Sequence, residues 1–269
     1  MEFTANKKGK LSKIALEQCQ DLSYSALMKL LRNKDVKIND KRVSQDVIVD
    51  QGDEIIIYYT PKKQDKYSVI FQDENVLVVY KKSGYTSESV FEDVSCKFKS
   101  AFFIHRLDRN TAGIMVFALN QVAEKHLLFG FKNRTFNKKY LATVYGVPSV
   151  KQAVLTAYLI KDANASFVKI FDTRVNDSVK IVTEYRVLEE YDDTSLLEVT
   201  LHTGKTHQIR AHLAHVGHFI IGDGKYGDNR INKQKGVKTQ KLIAYYLQLR
   251  FEKDSPLYYL NGKSFIYKD

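Results

Sequence analysis

The chain has 269 residues, 44% of them hydrophobic, with 42 Lys and Arg against 31 Asp and Glu, a formal charge of +11 and an isoelectric point near 9.3. That size and apolar content exclude a wholly disordered chain and allow one large core with a small second domain. The opening MEFTANKKGK lacks the apolar stretch of a signal peptide and no later run approaches the roughly 18 apolar residues of a membrane span, so a cytoplasmic protein with no membrane partner is expected, its positive charge suited to a polyanion.

After an N-terminal tail over 1–10, the stretch Leu11 to Tyr59 reads as a small α/β unit. Leu11, Ile14 and Ala15, then Leu22, Leu27, Leu30 and Leu31, recur at helical spacing and predict two short amphipathic helices, with Ser23 placed to cap the second. Val36, Ile38 and Val43 alternate as strands around a turn at Asn39-Asp40, and Gly52-Asp53 turns into an apolar strand from Glu54 to Tyr59. Thr60 to Lys66, with Pro61 and three lysines, reads as a linker.

From Tyr67 to the C-terminus the pattern is mainly β. A hairpin is predicted from Ser68 to Phe71 and Val76 to Tyr80, joined at Asp73-Glu74-Asn75. Further strands are expected at Phe102 to Ile104, Ile114 to Leu119, Lys139 to Val147, Ile181 to Leu188, Ser195 to His202 and Leu242 to Phe251. Helices are expected at Gln121 to Asn133 and at about Thr206 to Val216, the second closed by Gly217. Strands outnumber helices and do not alternate with them one for one, which predicts an α+β domain on a mixed, mostly antiparallel sheet. Cys19 and Cys96, far apart in sequence, form neither a disulfide framework nor a zinc pair.

Three segments carry chemistry. In FIHRLDRNTAG, Asp108 stands between Arg106 and Arg109, after an apolar strand and before Gly113, at the kind of junction where a sheet presents a reactive side chain. By itself an Arg-flanked Asp is usually a structural ion pair. A kinase catalytic loop is excluded because no Gly-rich loop or D-F-G accompanies it. In NKKYLATVYG, Tyr140 is one of seventeen tyrosines on a half-buried strand. In LHTGKTHQIRAHLAHVGHFIIGDGKYG, Ile209, Leu213 and Val216 form a helical stripe with Arg210 beside it. His207, His212, His215 and His218 spread around that helix with no carboxylate or cysteine cluster to complete a metal shell, so no metal is expected. Gly222 to Gly227 satisfies G-x-G-x-x-G, but the polar, basic DNRINKQKGVK follows it in place of an amphipathic helix, and it reads as a tight turn.

Taken together, His-Arg-Leu-Asp with Thr-x-Gly, Lys-x-Tyr-Leu-Ala-x-Val-x-Gly and His-Gln-Ile-Arg-x-His, in that order, resemble the RluA-type pseudouridine synthases over about Tyr67 to Glu252. Asn110 and Ala112 stand where Asp and Ser are common in that family. The resemblance implies isomerisation of uridine to pseudouridine in RNA without a cofactor. It implies Asp108 as nucleophile, Tyr140 packed against the target base, and Arg210 paired with Asp108. The segment from Ser23 to Ile57 resembles an S4-type RNA-binding domain, although Lys10-Leu11-Ser12 replaces the usual Arg-Leu-Asp and Asp40 takes a turn position commonly held by Gly.

Lys29, Arg32, Lys34, Lys37, Lys41 and Arg42 would then meet RNA phosphates, yet Leu11 to Tyr59 holds seven basic and eight acidic residues, and a protein-docking module stays open there. His105, Arg106, Lys138 and Lys139 are further RNA-binding candidates, and Lys132, Arg134, Lys225, Arg230, Lys233, Lys235 and Lys238 extend the basic walls. A monomer acting on ribosomal RNA is favoured over one acting on transfer RNA, with a non-catalytic RNA-binding protein as the reading from another class.

Overall fold

The first ten residues do not form the expected tail. In the computed structural model, which describes residues 1–19, 22–59, 65–162 and 167–267, β1 (Glu2–Thr4) pairs antiparallel with β6 (Glu54–Ile57), and β2 (Gly9–Lys10) pairs with β5 (Ile48–Val49). The reason is apolar: Ala5 is buried and Phe3 packs against the same core, so leaving this strand in water would expose both. The segment contains α1 (Leu11–Gln18), α2 (Tyr24–Arg32) and the hairpin of β3 (Val36–Ile38) and β4 (Lys41–Val43). Ser23 caps α2 by accepting from the Ala26 N–H, and Leu27 and Leu31 form its buried stripe. Asn39 and Asp40 both take positive φ, 46° and 60°, as a tight two-residue hairpin turn requires. The four-stranded sheet runs β1-β6-β3-β4, and the last strand stops at Ile57, short of the expected Tyr59.

The chain divides into two units, Met1–Gln64 and Asp65–Asp269. Of the expected linker, 60–64 lies outside the described residues. Lys66 belongs to the second unit, where its ammonium meets Asp93 at 3.0 Å.

The second unit contains, in order, β7 (Tyr67–Gln72), β8 (Val76–Lys81), α3 (Ser87–Lys97), β9 (Phe102–Phe103), β10 (Ala112–Ala118), α4 (Gln121–Asn133), β11 (Asn137–Tyr145), β12 (Gln152–Asp162), β13 (Phe167–Phe171), β14 (Val179–Glu190), β15 (Thr194–Leu201), α5 (Gln208–His215), α6 (Asn229–Gln234), β16 (Leu242–Gln248) and β17 (Ser264–Ile266). Among the described residues the strands make one 11-stranded sheet, ordered β13-β12-β14-β15-β11-β16-β10-β8-β7, with β17 on β16 and β9 on β10. Every pairing is antiparallel except β10 with β16, so the mixed, mostly antiparallel α+β architecture read from the pattern is the one observed. No helix among the described residues is long and apolar enough to cross a membrane.

Strand β10 is buried along its whole length because both faces of the sheet are covered there. On one side Val116 and Ala118 meet Ala123 and Leu127 of α4; on the other Met115 and Phe117 meet Val90 and Val94 of α3 and share a core with Ile209 and Leu213 of α5. Each fully buried side chain of this size contributes about 1.5–3 kcal/mol. Truncating Leu213, which has no exposed surface, would cost about 2–5 kcal/mol and loosen α5 from the sheet. Gly113 fixes the parallel contact: its φ is 132°, and a Cβ there would lie 2.4 Å from the carbonyl oxygen of Ala244 on β16. Any side chain would push apart the two strands just beyond the Asp108 loop.

Candidate active site

Asp108 lies in the loop between β9 and β10, and that loop is fastened from several directions. The Thr111 N–H donates to the Asp108 carbonyl at 3.1 Å, closing a turn around the carboxylate. Ser87, buried at the start of α3, donates its hydroxyl to the Leu107 carbonyl and accepts from the Leu107 N–H, both at 2.9 Å. Lys81, with no exposed surface, donates to the carbonyls of Tyr85 at 2.8 Å and Arg109 at 3.1 Å. Burial pushes its ammonium down to about 8, although Asp108 and Glu88 favour the charge. The backbone on both sides of Asp108 is thereby held to the sheet and to α3.

Helix α5 supplies the partner. Ile209 and Leu213 point into the core, and Arg210, on the adjacent face, reaches the loop: its Nη1 donates to Asp108 Oδ2 at 2.9 Å. The same guanidinium holds a second carboxylate bidentately, Nε to Asp223 Oδ2 at 2.7 Å and Nη2 to Asp223 Oδ1 at 2.9 Å. Asp223 is the functional neighbour that sequence reasoning missed, hidden inside the G-x-G turn. Its side chain is 0% exposed against 23% for Asp108, and it also accepts from the N–H groups of Lys225 and Tyr226. Burial alone would raise its pKa; Arg210 and these donors more than reverse that and hold it below the ordinary value. Burial likewise opposes the Arg210 charge, and the two carboxylates overcome it and raise its pKa. A permanently cationic fork therefore connects one fully buried carboxylate to one that faces the cleft.

Tyr140, on the inward face of β11, lines the same cleft, whose volume is about 330 Å³, within the range of small-ligand sites. Burial, with the Asp108 charge added, pushes its phenol up to about 12, so it is neutral at pH 7. His207 enters α5 at φ 54°. Its Nδ1 is 2.9 Å from the Tyr226 hydroxyl and its Nε2 is 3.8 Å from Asp108 Oδ2. The Tyr226 hydroxyl accepts from the Val168 N–H, and the Arg210 guanidinium lies 5.1 Å from the centre of its ring.

The remaining candidates divide. His105, Arg106 and Lys138 all line the cleft, Arg106 at its exposed edge, where it meets Glu88 at 3.4 Å. Burial, then Lys138, pushes His105 down to about 3; its Nε2 accepts from the Val116 N–H and its ring stacks on Phe131 at 4.2 Å. Lys139 is engaged by Glu198 at 3.1 Å, a carboxylate shared with Arg186 and Tyr245, and is not a free basic wall. In the first unit Lys29, Arg32, Lys34 and Lys41 are exposed on α2 and the following hairpin. Arg42 braces that region, donating to the Lys34 carbonyl at 2.7 Å. The polar stretch after the G-x-G turn, read as lacking an amphipathic helix, forms α6, a short polar helix capped by Asp228, whose one buried residue is Asn232. Asn232 is what gives so polar a stretch its hold, since its side chain accepts from the Gly222 N–H and donates to the Asp223 carbonyl. A larger cavity of about 800 Å³, lined by His126, Phe129, Arg250 and Phe251, is not lined by Asp108, Tyr140 or Arg210.

Residues 75–215 match the family of RNA pseudouridylate synthases. The chain is 28% identical over 266 residues to the ribosomal large subunit pseudouridine synthase C of Vibrio parahaemolyticus, covering 88% of this chain and 83% of that one. It is 34% identical over 194 residues to an RNA pseudouridine synthase of Helicobacter pylori, covering 71% and 75%. Its fold matches the human RNA pseudouridylate synthase domain containing 1 with a TM-score of 0.64 at 24% identity, over 73% of this chain and 83% of that one.

Proposed function

The chain belongs to the RNA pseudouridylate synthase family, and on that premise we propose that it isomerises specific uridines of large-subunit ribosomal RNA, acting as a monomer in the cytoplasm with Asp108 as nucleophile. The observation that carries the residue assignment is the Asp108, Arg210, Asp223 chain at the cleft floor: the cleft-facing carboxylate is the one with a solvent-accessible edge, and the other is sealed. The choice of RNA rests on the relatives named for the large ribosomal subunit.

The target nucleotide leaves its stack to reach the cleft, at a cost of a few kcal/mol that phosphate contacts offset. Asp108 forms a bond to the flipped nucleotide, at the base or at the ribose C1′, and the C1′–N1 bond breaks. The uracil turns, the C1′–C5 bond forms, Asp108 is released, and the proton lost from C5 is matched by one gained at N1, so the product is an isomer. Arg210 keeps the carboxylate oriented until it attacks. Tyr140 offers a ring wall and a neutral hydroxyl; once Asp108 is esterified its charge is gone, one of the two causes holding the phenol up disappears, and the hydroxyl ionises more readily to the phenolate that takes the C5 proton.

The first unit is read as an S4-type RNA-binding domain that adds phosphate contacts through Lys29, Arg32, Lys34 and Lys41. The test is incubation of the protein with large-subunit ribosomal and transfer RNA transcripts, followed by pseudouridine mapping. Product in the ribosomal transcript only is expected. Product only in transfer RNA would overturn the target, and no product in either would overturn the activity.

A further inference from the structure

The Asp108 cleft shares Lys138, Leu201 and Gly204 with a second cavity of about 570 Å³. Lys132, Arg134, Lys138 and Lys139 line that cavity together with Phe131 and Phe136, and no carboxylate among the described residues does. Lys139 already has Glu198. Neither Arg134 nor Lys138 has a carboxylate partner among the described residues. Lys138 is half-buried, with its ammonium 5.0 Å from the centre of the Phe131 ring. Burial, and then the neighbouring Arg134 charge, lower its pKa. Two cations that repel each other without a counterion are stabilised by any anion that enters between them.

The backbone makes Arg134 harder to dismiss as an ordinary surface residue. It is the C-cap of α4 at φ 56° and ψ 35°, in the left-handed region, with its N–H donated to the Gly130 carbonyl. Helices end in this conformation most readily on Gly, because any Cβ is strained there. An arginine adds nothing to the helix stop that Gly would not do better, but it carries a guanidinium to the rim of the cavity. Strain kept at such a position points to use of the side chain.

We propose that Arg134 and Lys138 form a subsite for the backbone phosphate of a nucleotide flanking the uridine held over Asp108. This rests on the reading of the cleft as the uridine site. Lys138 belongs to both cavities, so a chain passing from one to the other brings a phosphate past it, and Arg134 supplies planar donors on the outer side.

The experiment compares wild type with Arg134→Gly, Arg134→Lys and Lys138→Gln, using transcribed large-subunit ribosomal RNA as the probe. Arg134→Gly should raise Tm by about 2–4 °C through relief of the strain. The same variant should bind the RNA about tenfold more weakly at low salt, with a salt dependence shallower by about one ion. Lys138→Gln should lose slope in the same way, and Arg134→Lys, which keeps the charge, should retain it. Unchanged affinity and slope in Arg134→Gly, or a slope lost equally in Arg134→Lys, overturns the subsite. Pseudouridine formation by the wild type is measured on the same RNA: its absence rejects the functional reading, whereas product formation with unimpaired binding by Arg134→Gly rejects the subsite alone.

Discussion

Asp223→Asn should destabilise the protein more than Asp108→Asn, although Asp108 is the residue assigned to chemistry. Arg210 is 9% exposed and its two partners differ in kind: Asp223 holds it bidentately with 0% side-chain exposure, Asp108 through one bond with 23%. Two charges about 4 Å apart at an effective dielectric near 20 interact by roughly 4 kcal/mol. Breaking a buried pair from one side costs about 3–5 kcal/mol. The asparagine still accepts from the Lys225 and Tyr226 N–H groups, so the loss reports the charge more than the shape. Asp108→Asn leaves Arg210 in its bidentate grip and at most weakens one hydrogen bond to a partly exposed group, about 0.5–1.5 kcal/mol.

The pH dependence has a definite sign. The pKa of Asp223 is depressed in the fold, so its contribution is complete above the unfolded carboxylate value near 3.9 and is lost as pH falls through the lower folded value. Urea unfolding of wild type and both variants between about pH 3 and 8, followed by circular dichroism, measures this. The wild-type advantage over Asp223→Asn should be flat from about pH 5 upward and shrink below 4. An Asp108→Asn loss equal to or larger than that of Asp223→Asn, or an Asp223 increment unchanged at pH 3, would refute the assignment of the two carboxylates.

Asp108→Asn should leave Tm within a few degrees of wild type and abolish pseudouridine formation, measured in single-turnover assays; product above a trace would remove Asp108 as nucleophile. Tyr140→Phe should keep RNA affinity while losing rate, since the ring wall remains and the hydroxyl does not; an unchanged rate would confine Tyr140 to stacking. Neutralising Lys29, Arg32 and Lys41 together should flatten the salt dependence of RNA affinity, and an unaltered slope would favour a protein-docking unit. Burial pushes His212 down to about 4, so the unfolded chain takes up a proton below about 6.5 that the fold refuses; stability present above that pH is lost as pH falls toward 4. His212→Gln should therefore flatten the decline in Tm between about pH 6.5 and 4.5, and equal declines would mean His212 is not held neutral.

Elements with a regular apolar period were legible. Helix α4 runs from Gln121 to Asn133 as its spacing predicts, and β7 and β8 meet at Asp73-Glu74-Asn75. Helix α3 was not legible, because its stripe is short and its capping residue, Thr86, sits in a run of small polar residues that reads as loop. Strands β12 and β13 were also missed. Toward its start β12 alternates exposed with half-buried residues, so its period-2 signal lacks the strong apolar contrast that marks β10. The N-terminal strand was lost for a similar reason: three residues carry too little pattern, and only the paired β6 makes Phe3 an inward residue.

The site was readable where residue type and chemistry coincide, and unreadable where a residue acts only through another. Asp108 and Arg210 are 102 positions apart, and motif resemblance alone suggested that they meet. Asp223 carries no such mark. Within Gly222-Asp223-Gly224 an aspartate is the ordinary turn residue, and the glycines draw the eye toward a phosphate loop. The structure gives those positions a different cause. Gly222 has φ 79° and passes so close to the Thr239 carbonyl that a Cβ would lie 2.0 Å from its oxygen. That close pass fits the turn against the segment leading into β16, and Asn232 of α6 secures it by accepting from the Gly222 N–H at 2.7 Å. The buried carboxylate is thereby held in place, and the guanidinium, aligned on it by two bonds, presents Nη1 toward Asp108. A side chain larger than glycine at position 222 should therefore lower activity through the orientation of Arg210, with less change in RNA affinity than in rate. Gly222→Ala measured for both quantities tests this, and a loss confined to affinity would detach the turn from the nucleophile.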